Sequence, residues 1–220
     1  MAFKKIVEIK TPLTAEEIEQ EIRKAEQEDR MIDFSNKTIS AFFILNDKIR
    51  RGINFENAEI RDQFFLGDIL IEGDLILKNA KIFGSVYLAK IKVGGNLNIE
   101  GLKTTGAINL VGAEIGKDIL AEKVKSKGFL SLAKTDVGGS IILDQARIEN
   151  TKTKFADLVV RGDLVLEGAK AVGSISIKEA QIDGMLDLDD IRIGGDLITS
   201  GTSFNGVEES RTEIGGKKIR

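Results

Sequence analysis

The sequence predicts an all-β protein: a right-handed, four-sided parallel β-helix, a solenoid of 22-residue coils made of two 11-residue units, with an N-terminal capping α-helix. Three observations carry that prediction. A glycine-led unit of eleven residues repeats from about Ser40 to Asn205, with one slip near Asn150. Within the unit the apolar residues come in pairs two apart. Alternate units differ in their outward residues, so the true period is twenty-two.

Written from Gly73, successive units read GDLILKNAKIF, GSVYLAKIKVG, GNLNIEGLKTT and GAINLVGAEIG. With glycine as position 1, apolar residues fall at positions 3, 5, 8 and 10, as in Leu75, Leu77, Ala80 and Ile82. A period of two puts both members of a pair on one face of a strand, and the longer steps between pairs are corners. Each unit is therefore two strands and two turns. Gly followed by Asp, Asn or Ser, as at Gly73-Asp74, Gly95-Asn96 and Gly162-Asp163, is expected to form corners with positive φ. About seven and a half coils, at ~4.8 Å each, give a tube near ~35 Å long. Parallel crossovers set the expected right hand.

Three segments follow. Residues 1–31 form an N-terminal strand and capping helix, 32–205 the solenoid, and 206–220 a C-terminal tail. The helix starts from the capping-box pattern Thr14-Ala15-Glu16-Glu17 and runs to about Asp29, with Ile18, Ile22 and Ala25 on one side. The tail is expected to be poorly ordered, because GVEESRTEIGGKKIR keeps only Val207, Ile214 and Ile219 as apolar residues of a lost frame. A last coil left uncapped would offer an end for stacking against another copy.

Composition narrows the chemistry. The 220 residues are 42% hydrophobic and 30% charged, the balance of a globular protein. The chain has no cysteine and no histidine, which removes thiol nucleophiles, the commonest general base and the best transition-metal ligands. The start, MAFKKIVEIK, lacks the apolar core of a signal peptide, and no apolar run reaches membrane length, so a cytoplasmic protein without membrane contact is expected. A net charge of -3 argues against a nucleic-acid-binding surface.

The outward positions supply the candidate sites. At position 9 of alternate units stand Lys81, Lys103, Lys125, Arg147, Lys170 and Arg192; at position 6 of those units stand Glu100, Glu122, Asp144, Glu167 and Asp189. Each basic residue but Lys81 has an acidic one three positions before it, so the two ladders are expected to neutralise each other across a corner and to be structural. Position 4 carries Ile76, Leu120, Ile142 and Val165 in alternate units and Phe43, Phe65 and Tyr87 in the others. Outward apolar residues in file mark an interface, and dimerisation along one face is the expected use. The corner residues Asp74, Asp118 and Asp163 and the Asp187, Asp189, Asp190 cluster lack the nonapeptide spacing of calcium-binding β-rolls, so no metal is assigned. Gly112 to Asp118 falls short of a phosphate loop. The fixed spacing leaves no room for a catalytic cleft outside Glu149 to Lys154, so neither catalysis nor a cofactor is expected.

Ala80-Lys81-Ile82, Ala113-Glu114-Ile115, Ala146-Arg147-Ile148 and Ala180-Gln181-Ile182 resemble the small, polar, large triplets of pentapeptide-repeat proteins, over most of residues 32–205. That family's five-residue step is replaced here by steps that sum to eleven. The resemblance implies a right-handed quadrilateral β-helix and, for members that mimic DNA, a two-fold dimer that binds a type II topoisomerase. The polymer-forming bactofilins are similar in being cytoplasmic β-helices rich in glycine and aliphatic ladders. The reading from the residues themselves is a rigid, non-enzymatic scaffold or protein-interaction module that self-associates; a polysaccharide-binding or polysaccharide-modifying β-helix is the alternative.

Overall fold

A computed structural model describes residues 11–43, 48–150 and 152–220, with Phe43 and Lys152 described by their backbone alone. One helix precedes short strands of two or three residues, which assemble into four parallel sheets. Sheet I begins at Ile32–Asp33, sheet II at Thr38–Ile39, sheet III at Phe42–Phe43 and sheet IV at Lys48–Ile49. The chain visits the four in that order and returns to sheet I one coil further on, which stacks nine strands in each of sheets I to III and seven in sheet IV. Registers confirm the long period: Leu97 pairs with Ile119, and Lys81 with Lys103, each 22 residues on. The result is a four-sided β-solenoid.

Side-chain alternation then decides what the tube encloses. Leu75, Leu77, Ala80 and Ile82, the four inward positions of one unit, are all buried, and the same positions of other units complete a single continuous core. Alanines at position 8 (Ala58, Ala80, Ala113, Ala146, Ala180) are buried beside corners, a position that other units fill with Ile69, Ile91, Leu102 and Val124. Near the N-terminal end the core is aromatic. Phe42 and Phe55 meet edge to face at 4.6 Å, Phe55 and Phe64 at 4.9 Å, and Phe34 stacks on Phe55 at 5.4 Å.

The cap forms as expected and ends slightly sooner. Helix α1 spans Ala15–Gln27, and the Thr14 hydroxyl accepts from the Glu17 N–H while the Glu17 carboxylate accepts from the Thr14 N–H at 2.7 Å. Ala25 is buried, and Ile18 and Ile22 pack against the core. The helix is tied to the first coil by Glu21, which accepts from Arg30 at 2.6 Å and from the Asp33 N–H at 3.1 Å. Leu13 pairs with Ile39 at the head of sheet II. The first ten residues, where an N-terminal strand was expected, lie outside the described residues.

Two expectations are corrected. The corner glycines do not adopt positive φ: Gly73, Gly95, Gly139, Gly162 and Gly195 are absent from the left-handed region. Close approach explains them instead. A Cβ on Gly95 would overlap the Asp74 carboxylate, and one on Gly139 the Asp118 carboxylate, because position 2 of one coil lies against position 1 of the next. The left-handed residues are at the other turn, position 7, filled by Asn57, Asn79, Gly101, Lys123, Gln145, Gly168 and Asp190.

Residues 206–220 form a further coil rather than a disordered tail, with strands Gly206–Glu208, Glu213–Ile214 and Lys218–Ile219 extending sheets I, II and III. A single-residue deletion hides its frame: Gln181 is bridged by Ser203, 22 residues on, but Met185 pairs with Gly206, only 21 on. Asn205 takes the glycine position, its N–H bonding the Gly184 carbonyl at 3.0 Å. The slip near Asn150 is the opposite event, one inserted residue, since Ser131 pairs with Lys154, 23 residues on. It is absorbed at the corner between sheets II and III.

Candidate interaction faces

A side chain that points outward from one coil stands directly above its counterpart in the next, so each sheet presents a file of side chains about 4.8 Å apart. The sequence-predicted residues occupy three such files.

Sheet I carries the aliphatic file. Leu120 pairs with Ile142 and Ile142 with Val165, while Ile76 is separated from them by Asn98. All four aliphatics are half-buried, each partly covered by its neighbours in file. Asn98 turns inward on the local chain, its Oδ1 accepting the Glu100 N–H at 3.1 Å. The file becomes acidic at Asp187 and Glu208.

The aromatic residues lie on sheet III, across the tube from sheet I, so the position-4 residues form two separate patches rather than one. Phe65 and Tyr87 stack with ring centroids 4.6 Å apart and planes 4° from parallel. Tyr87 lies over Gly67, where a Cβ would meet its ring. Phe43 pairs with Phe65 through the backbone, and its side chain lies outside the described residues.

Sheet II carries the basic file, six cations on consecutive strands: Lys81, Lys103, Lys125, Arg147, Lys170 and Arg192. Glu59 precedes it and Glu213 follows it. The acidic row Glu100, Glu122, Asp144, Glu167 and Asp189 runs along the corner between sheets I and II. No ion pair forms across that corner between the two rows. Among the described residues, Lys81, Lys103, Lys125, Arg147 and Lys170 join no ion pair, and Arg192 reaches only Glu213, at 3.5 Å. Glu100 pairs instead along its own row, with Lys78 at 2.7 Å. The acidic row consequently feels itself: Asp144, then Asp187, raise the Glu167 carboxyl above its ordinary range by like-charge repulsion. One oxygen of Glu122 is buried with no hydrogen-bond partner. The physical reason is direction. Position 6 starts a turn and position 9 stands on the next sheet, so the two side chains diverge.

The corner aspartates act as the sequence suggests, bonding backbone amides, but across a whole coil. Asp118 accepts from the Ser140 N–H at 2.8 Å, and Asp163 from the Met185 N–H at 2.7 Å. Asp187, Asp189 and Glu208 place one carboxylate oxygen each within 4.8 Å of one another. Glu208 joins this group only because of the one-residue deletion, a signal that strict eleven-residue framing missed. Asp187 and Asp189 are already acceptors for the N–H groups of Asp189 at 2.9 Å and Ser210 at 2.6 Å, a structural use that needs no ion.

Two grooves follow the rim between sheets II and III. One, of about 310 Å³, is lined by Lys81, Phe83, Lys103, Lys125 and Lys127; the other, of about 770 Å³, by Arg147, Lys170, Val172, Arg192 and Glu213. Glu149 borders both. Phe83 and Val172 are 53% and 60% exposed, more than any other large hydrophobic described. Among the described residues, no helix is long and apolar enough to cross a membrane. No protein-family model, curated protein or solved structure matches the chain.

Proposed function

We propose that this chain is a non-enzymatic, cytoplasmic interaction scaffold that self-associates through the aliphatic file of sheet I. The observation that supports it most is the run Leu120, Ile142 and Val165 on adjacent strands, outward-facing yet half-buried, on a side of the tube where polar residues would serve solubility better. A parallel solenoid is stiff because every coil is hydrogen-bonded to both neighbours, and a stiff, flat face suits recognition of another flat face. The chemistry left without histidine or cysteine supports a binding role over a catalytic one.

Light scattering coupled to size-exclusion chromatography tests this. The unmodified protein is expected to form a discrete oligomer, and the variant Leu120→Ser/Ile142→Ser/Val165→Ser to run as a monomer with an unchanged circular dichroism spectrum. A wild-type chain that stays monomeric at high concentration, or a folded variant that keeps the oligomer, would refute the reading. Phe65→Ser/Tyr87→Ser reports separately on the aromatic patch and should leave the assembly intact.

A further inference from the structure

We infer that the sheet II face is a docking track for a linear anionic glycan bearing one acidic group per sugar, of the polyuronate type. This goes beyond the scaffold reading and concerns a different face.

The first observation is a cost without a structural return. Five successive cross-strand pairs on sheet II are cation against cation, and like charges directly opposite destabilise a sheet. One pair on sheet IV shows the relief that opposite charge gives: Lys92 stands opposite Glu114 and bonds it at 2.9 Å, although Glu114 faces Asp136 on its other side. On sheet II no such relief is built in between Glu59 and Glu213. Six cations in a row, of which only the last, Arg192, meets an acidic partner, form a binding feature of defined length, about 24 Å over five coil steps of ~4.8 Å.

Width and spacing select the occupant. The file is one side chain wide, and the acidic row lies one corner away. A planar anionic membrane would cover both rows and gain little net attraction. A slender chain lying along the groove side of the file meets the cations without the acids. Duplex nucleic acid winds its phosphates around an axis with about 3.4 Å of rise per nucleotide, so they do not line up in a straight file in step with the coil repeat. Single-stranded nucleic acid relies on a succession of aromatic platforms, whereas Phe83 is the one aromatic lining these grooves. A glycan advances by roughly one coil spacing per sugar ring, so one carboxylate can face each cation. The exposed faces of Phe83 and Val172 offer apolar contact to sugar rings at the two ends, and Thr105 an exposed hydroxyl between them.

The probe is an oligogalacturonate of about ten sugars, enough to span the track at ~4.8 Å per coil, with neutral dextran, oligo-dT and inorganic polyphosphate as comparators. Titration calorimetry at low salt is expected to show binding of the oligogalacturonate that weakens as salt is added and exceeds that of every comparator. Lys103→Glu/Arg147→Glu should weaken it about tenfold or more while melting at or above the wild-type temperature, because it converts four of the five like-charge pairs into opposite-charge ones. Should that variant fail to fold, Lys103→Gln/Arg147→Gln gives the same reading. Lys90→Glu/Lys134→Glu, an equal charge change away from the track, should bind as wild type, and Glu149→Gln a few-fold tighter. Absence of wild-type binding at low salt, equal loss in the Lys90/Lys134 control, or tighter binding of oligo-dT or polyphosphate would each overturn the proposal. Assembly is read from the sheet I variant, so failure there leaves this outcome unaffected.

Discussion

The carboxylate of Asp118 accepts a hydrogen bond at 2.8 Å from the backbone N–H of Ser140, the residue in the same position one coil later. The Asp118 N–H is itself held by Asn96 Oδ1 at 3.2 Å, and the Ser140 hydroxyl accepts from Asp163 N–H at 3.0 Å. Along this corner each polar side chain thus stitches its coil to the next, and the space it fills is the space a Cβ on the following glycine would need.

That mutual exclusion yields a coupling measurement. Gly139→Ala forces its methyl against the Asp118 carboxylate and is expected to cost about 2–3 kcal/mol, as overpacking does. Asp118→Ala loses one charged acceptor and should cost about 1–2 kcal/mol. The double variant should cost less than the sum, since removing the carboxylate relieves part of the clash. Urea unfolding of the four proteins checks this, and strict additivity would contradict it.

Thr153 takes an inward position of sheet III otherwise filled by apolar residues such as Leu130 and Ile175, and its hydroxyl is buried without a partner. Thr153→Val keeps the shape and removes the unsatisfied group, so it should stabilise by about 1–2 kcal/mol. A lower midpoint in denaturant would show that the hydroxyl is used.

Repulsion within the acidic row predicts a pH signature. The folded carboxyl of Glu167 is raised above its unfolded value, chiefly by Asp144, so this group lowers stability as pH rises through the acid range and contributes no penalty well below about pH 4. Glu167→Gln should therefore raise the melting temperature at neutral pH, with the difference closing on acidification. A benefit that persists at low pH would assign it to packing.

Glu21 has the opposite sign. The Arg30 guanidinium, foremost, and the Asp33 N–H lower its carboxyl, so its contribution is present above the ordinary carboxylate range and lost as pH falls through the lowered folded value. Glu21→Gln should loosen the cap at neutral pH by about 1 kcal/mol, and Thr14→Ala by a similar amount. Hydrogen exchange of α1 amides is the direct readout, with the solenoid amides largely unaffected.

Lys123 holds a left-handed conformation, φ 58°, at a turn position where the preceding coil uses Gly101 and a later one Gly168. Lys123→Gly should stabilise by up to about 1 kcal/mol, because a Cβ is strained there and the residue is exposed. Loss of stability would mean that the entropy of the added glycine outweighs the relieved strain.

The sequence by itself determined the coil: the pattern of positions 3, 5, 8 and 10 buries Leu75, Leu77, Ala80 and Ile82 with two strands per unit, and the alternation of outward residues such as Lys81 and Lys103 sets two units per turn. The Thr14–Glu17 cap was legible for the same reason, being local chemistry. What the tertiary structure decided is everything that depends on distance between coils. The need for glycine at Gly95 and Gly139 comes from a side chain about one coil away, which no local rule of turn conformation contains. Residues 206–220 read as a tail because one deleted residue shifts Val207 out of frame, while hydrogen bonding to the previous coil restores it. Spacing also placed Lys103 three residues from Glu100 and suggested a pair. Only the tertiary structure sets one at a turn and the other on the adjoining sheet, where among the described residues Arg192 alone of the basic file finds an acidic partner, Glu213.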